Sequence, residues 1–175
     1  MSVDAATFVK QSHLITSRFG RWPSFHDAEI IEFRLNRGSL HLNEREPVLP
    51  FACVTIHHWQ LTSEVDEKGY FVLDLHTVST LRFNGISELK MDDFNQQNVI
   101  YSLEIENDEG LSEDRYPIKV EFGSSFGMEA SLRCISVEVV DSCASDSKGS
   151  LHPNQSSEPT LASGTSPAGQ EPRLP

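Results

Sequence analysis

Between positions 28 and 140 the chain is organised by a period of two. In "EIIEFRLN" Ile31, Phe33 and Leu35 alternate with Glu32, Arg34 and Asn36. A Gly-centred "NRGS" and then "LHL", with Leu40 and Leu42 on one face, complete a hairpin signature. "FACVTIHHWQL" predicts a further strand and "TSEVDEKG" a charged loop. In "YFVLDLHTVSTLRF" Phe71, Leu73, Leu75, Leu81 and Phe83 share one parity, and Tyr70, Asp74, His76 and Arg82 the other. "NGISELKMDDFNQQN" reads as a loop holding a short strand, and "VIYSLEIE" presents Val99, Tyr101, Leu103 and Ile105 to one side. Three more alternating runs, "PIKVEF", "FGMEASLRC" and "ISVEVV", follow. Strands that are apolar on one face and polar on the other belong to antiparallel sheets with one solvated side. The expected class is mainly β (α+β): an antiparallel meander or small sandwich of about eight strands with one N-terminal helix.

That helix is expected over 4–18. Asp4 suits its N-cap, and Phe8, Ile15 and Phe19 recur at near-helical spacing. Gly20 suits the stop, and Pro23 forces Trp22 into an extended conformation. The run "FGRWPSFHDAEIIEF" at 19–33 then crowds Trp22, Pro23, Phe25, His26 and Asp27 into the passage from helix to sheet. As a structural motif, Trp22 and Phe25 plug the edge of the core and Pro23 fixes the bend. The Asp27 carboxylate would accept local backbone N–H groups before the strand. In an extended chain His26 and Asp27 point to opposite faces, so they do not pair with each other. The same parity lets only one of His57 and His58 face the core.

After position 141 the pattern stops. Residues 142–175 hold eight Ser, five Pro and three Gly, with no aromatic and no β-branched aliphatic residue. Such a segment buries too little apolar area to offset its ordering entropy, so a disordered tail is expected after one β-rich domain at 1–141. The net charge of −12 falls almost entirely on that domain, because the tail carries three acidic and two basic residues. A body this acidic repels phosphates, which speaks against nucleic acid as a partner. Cys53, Cys134 and Cys143 are odd in number and lack CxxC spacing, which fits a reducing cytoplasm. The start "MSVDAATFVKQSH" has no signal-peptide pattern, and no apolar run reaches the roughly 18 residues that span a membrane.

Catalytic motifs are absent from the sequence: no nucleophile elbow, Walker loop or dinucleotide fingerprint occurs, and no cofactor is expected. A metal-dependent hydrolase would have to assemble His26, Asp27, one of His57 and His58, and His76, none of which shows a ligand spacing. The structural alternative makes His57 or His58 a hydrogen-bonded strand histidine and leaves His76 exposed. An acidic stretch is more suggestive. Glu104, Glu106, Asp108, Glu109, Glu113 and Asp114 include no basic neighbour among them, and such a strip speeds association with a basic protein.

Three stretches carry a resemblance: "FGRWPSFHDAEI" at 19–30, "STLRFNGISELKMDDFNQQNVI" at 79–100 and "FGMEASLRCISVEVV" at 126–140. In order across roughly 15–141, the chain resembles the Immunity protein 50 family of bacterial polymorphic toxin systems. The resemblance implies a small cytoplasmic, non-enzymatic protein that binds and neutralises a cognate toxin domain, with no catalytic set to carry over. With the charge pattern, it selects Trp59, Tyr101, Glu104, Glu106, Asp108 and Glu109 as contacts for a basic toxin domain. A generic β-rich binding module is the remaining alternative.

Overall fold

In the computed structural model, which describes residues 4–39, 47–107 and 115–151, the alternating runs form strands. They are β1 Glu29–Asn36, β2 Phe51–Val65, β3 Phe71–Asn84, β4 Ser87–Asp92, β5 Val99–Asn107, β6 Ile118–Phe126, β7 Glu129–Cys134 and β8 Ser136–Ala144. Among the described residues these eight make one sheet in the order β4-β7-β6-β5-β1-β2-β3-β8, with antiparallel pairing throughout. The expected class and the N-terminal helix are both present.

The two ends of this order are continuous with strands inside it. β3 runs into β4 through Gly85, and β7 runs into β8 through Ile135. Asn84 pairs with Ser136 on one side of this corner and Ser87 with Arg133 on the other, while Ile135 N donates to Asn84 O at 2.9 Å. A single bent ladder therefore joins both ends, and the sheet folds back over its own apolar face. Gly85 is required at the bend. Its φ is +63°, and a Cβ there would meet Ile135 Cδ1 at 2.5 Å. Inside lie Val54, Ile56, Leu81, Phe83, Val120, Phe122, Leu132, Val137 and Val139, each no more than 2% exposed. Phe122 packs edge-on against Phe33 and Phe83, at 6.3 and 5.9 Å, so aromatic contacts tie β6 to β1 and β3 across the core.

Several expectations need correction. The helix over 4–18 is split into a 3-10 turn at Ala5–Thr7 and α1 at His13–Phe19. Between them Lys10 N donates to Val137 O and Lys10 O accepts from Val139 N, both at 2.9 Å. The chain thus gives up helical hydrogen bonds to cover the open edge of β8, and Gln11 takes a φ of 56° to turn back. Asp4 does cap, but it caps the 3-10 turn, accepting from Ala6 N. Gly20 ends α1 in the left-handed conformation, as its position suggested.

The partner of β1 is β2, and Leu40 and Leu42 lie outside the described residues. β2 continues through "TSEV", which was expected to be loop. The turn follows at 66–69, where the Asp66 carboxylate accepts from the backbone N–H groups of Lys68 and Tyr70. β8 reaches Ala144, past the expected domain boundary at 141, because Ser142, Cys143 and Ala144 continue the ladder with Ser79, Val78 and Thr77. The tail expected to be disordered lies, from 152 onward, outside the described residues.

Cys53 and Cys134 are buried and Cys143 is half-buried, all as free thiols. Burial pushes the Cys134 thiol up to about 12, which withholds the reactive thiolate at neutral pH. Ellman's reagent is expected to titrate Cys143 alone in the native protein and all three thiols in denaturant. A second thiol reacting under native conditions would contradict this packing.

Candidate functional site

The corner at 22–27 is built by conformations that its sequence does not announce. Phe25 and Asp27 both adopt positive φ, 56° and 63°. For a residue as bulky as Phe this is a strained backbone, held only because the surroundings dictate it. The Phe25 ring supplies that hold. It is 2% exposed, lies 5.0 Å from the His58 ring and meets Trp22 edge-on at 5.6 Å. Asp27 N donates to Ile100 O, Ile100 N to Ala28 O and Ile30 N to Asn98 O. These bonds form the seam where β1 meets β5, whose ladder is otherwise only Glu29 opposite Val99.

The three stretches that carry the resemblance meet at this seam. Asn98, 4% exposed, uses its side-chain oxygen to accept from Asn95 N and Met128 N, and its amide donates to Asn95 O. Its backbone carbonyl takes Ile30. "WPSFHDAEI", "DFNQQN" and "FGME" are therefore joined through one buried amide.

Because the corner is not extended, the expected divergence of His26 and Asp27 fails. His26 Nε2 lies 3.7 Å from Asp27 Oδ2. His26 Nδ1 donates to Tyr101 O at 2.8 Å, and the His26 and Tyr101 rings meet edge-on at 5.4 Å. The Asp27 carboxylate was expected to accept backbone N–H groups. Instead it faces this imidazole, and its contribution to the turn is its left-handed backbone. The pair is open to solvent, 52% and 63% exposed, so the contact is worth less than about 1 kcal/mol.

His57 and His58 divide as parity demands. His58 faces inward, stacked on Phe19 at 4.9 Å, and its Nε2 bonds Ser79 Oγ at 2.8 Å, which in turn meets Ser142 Oγ at 2.9 Å. Burial, reinforced by His57 and Arg18, pushes its pKa down to about 3. His57 lies on the other side, where its Nε2 is 3.2 Å from His76 Nδ1, and burial followed by His76 lowers its pKa. The half-buried Trp59 indole packs on both imidazoles, at 5.1 and 5.7 Å. The histidines proposed for a hydrolase thus fall into separate pairs. Among the described residues no group of three or more His, Cys, Asp or Glu could hold a metal ion.

Two clefts share the corner as a wall. One, of about 300 Å³, is lined by Phe19, Arg21, Pro23, Ser24, His26, Asp27, Trp59, Gln60, Leu61 and Leu73. The other, of about 430 Å³, runs from Trp22, Pro23 and Ser24 to Leu103, Glu104, Ile105 and Glu106. Of the expected contact residues, Tyr101, Glu104 and Glu106 are exposed on β5, and Trp59 stands at the first cleft. Asp108 and Glu109 lie outside the described residues, as do Glu113 and Asp114. Glu104 faces Glu121 directly across the ladder, while Glu106 faces Lys119, which bonds Glu121 at 2.7 Å. Leu61, Leu73 and Phe19 were not expected at a site. Their apolar character marked them as core, and parity alone does not say where the core ends.

A family model described as Immunity protein 50 matches residues 11–143, which contain the corner, the first cleft and nearly all of the sheet. No curated protein and no solved structure matches the chain. No helix among the described residues is long and apolar enough to cross a membrane.

Proposed function

Because the chain belongs to the Immunity protein 50 family, we propose that it binds and neutralises a cognate bacterial toxin domain. It does so in the cytoplasm, by surface complementarity and without catalysis. The observation that carries this reading is the outer face of β5. There an exposed Tyr101 stands beside Glu104 and Glu106, and Glu104 opposes Glu121. Like charges directly opposite each other cost stability, and Lys119, which bonds Glu121 and faces Glu106, offsets that repulsion only in part. A basic partner would relieve that repulsion, and the acidic field would raise its encounter rate. Trp59 and Tyr101 would supply aromatic anchors, and Asp108 and Glu109 follow β5 in the chain as further acidic contacts.

Charge reversal tests the reading. Glu104→Lys with Glu106→Lys is expected to slow association with the cognate toxin domain by about tenfold at low salt. The deficit should shrink as salt screens it. Glu104→Lys alone removes a repulsion, so the thermal midpoint should hold or rise while binding weakens. Unchanged association rates at every salt concentration would sink the acidic-face reading.

A further inference from the structure

The paired strands β2 and β3 outrun their neighbours. β1 leaves β2 at His57, and β8 leaves β3 at Thr77. Ser145 N still reaches His76 O, but the chain then turns away, with Asp146 N donating to Ser150 O. What remains, residues 60–74, is a two-stranded ribbon with no further strand on either side among the described residues. The register places Leu61 opposite Leu73 and Val65 opposite Phe71. Phe71 and Leu73, two apart on β3, share a face, and their cross-strand partners Val65 and Leu61 join them there although the register of β2 shifts between Leu61 and Val65. They are 62%, 39%, 54% and 60% exposed. Leu61 and Leu73 also line the cleft at the corner, which makes the apolar face continuous with Phe19 and Pro23.

Two-stranded ribbons are marginal on their own, and contiguous apolar patches on a soluble surface mark interaction sites. We infer that this ribbon is the apolar anchor for a basic partner protein, whose hydrophobic side chains pack on Leu61, Val65, Phe71 and Leu73 while its cations meet the acidic tip. The inference rests on the toxin-binding reading and assigns its main contact surface. Charge selects the occupant. The tip carries Glu64, Asp66 and Glu67 against Lys68 alone, on a chain of net charge −12. A second copy would bring the same acidic tip to the same face, whereas a basic protein complements it. The chain's own residues 152–175 offer only two leucines and no aromatic side chain to fill the face, among five prolines.

The test uses the full chain and the cognate toxin domain that it neutralises in a growth assay. Phe71→Asp with Leu73→Asp is expected to weaken binding at least about thirtyfold in a calorimetric titration, with the thermal midpoint unchanged. The free protein should sediment as a monomer. An affinity equal to wild type in a folded variant overturns the anchor while leaving neutralisation intact. A dimer that the double variant dissolves assigns the face to a second copy. Tighter binding by a Leu161→Ser, Leu174→Ser chain assigns it to the C-terminal segment. Failure of the wild type to bind at all overturns the toxin-binding reading, and the ribbon's partner with it.

Discussion

Phe122→Ala is expected to lower the unfolding free energy by about 4 kcal/mol, the middle of the range for a buried Phe truncated to Ala. Phe122 is 1% exposed, and its ring joins Phe33 and Phe83 across the folded sheet. Removing it costs transfer energy and also leaves a cavity between strands that are bonded elsewhere and cannot collapse to fill it. Domains are stable by about 5–15 kcal/mol, so this loss consumes much of the margin and should lower the melting midpoint by roughly 10 °C. Phe126→Ala, four residues on in the same strand, is the control. That ring is 65% exposed, and its loss should stay within about 0.5 kcal/mol. Urea titrations of both variants check the pair. A Phe122→Ala loss under about 1 kcal/mol would mean that the two halves of the sheet do not share one core.

The second large effect is acid sensitivity centred on His58. Its folded pKa, about 3, lies well below the ordinary value of 6.5. Above pH 6.5 both folded and unfolded forms are neutral and the group has no effect. Below 6.5 the unfolded chain takes up a proton that the folded chain refuses, so stability falls as pH falls, down to about pH 3. One pH unit corresponds to about 1.4 kcal/mol, so His58 alone removes about 2 kcal/mol between pH 6.5 and 5. His57, whose pKa is also lowered by burial, acts with the same sign.

His58→Phe removes the proton site within an aromatic pocket. It leaves Ser79 bonded to Ser142 and eliminates a buried Nδ1 that has no hydrogen-bond partner. The variant is expected to be at least as stable as wild type at pH 7.5 and about 2 kcal/mol less sensitive to acidification to pH 5. Stability curves that run parallel over this interval would contradict the placement of His58.

Much of the sheet was legible because one buried face imposes alternation, and alternation survives in sequence. Single unpaired residues were not legible. Ile31 sits at a register shift between Ile30 and Glu32, which turns it outward at 49% exposed and buries Ile30 instead. Tyr101 sits at another shift, between Ile100 and Ser102, and is 64% exposed where parity placed it with Leu103. A bulge adds one residue without any signature in composition, yet it reverses every assignment on one side of it.

The corner was legible in its plugs, Trp22 and Phe25, and illegible in its backbone. Non-glycine residues rarely take left-handed conformations, so an extended chain was the rational expectation, and it separated His26 from Asp27 wrongly. The ribbon was hidden for a related reason. Phe71 and Leu73 share the parity of Leu81 and Phe83, but a register shift between His58 and Gln60 separates the two groups, and periodicity reveals neither that shift nor how far the neighbouring strands extend.

Survival measures neutralisation most directly. Cells carrying a candidate cognate toxin domain, with and without the chain co-expressed, are scored for growth, and the two proteins are purified together. Growth is expected to be restored, with the two proteins co-purifying as a stable complex. Growth arrest that persists with the chain present at equal or greater level, with no complex recovered, would contradict neutralisation.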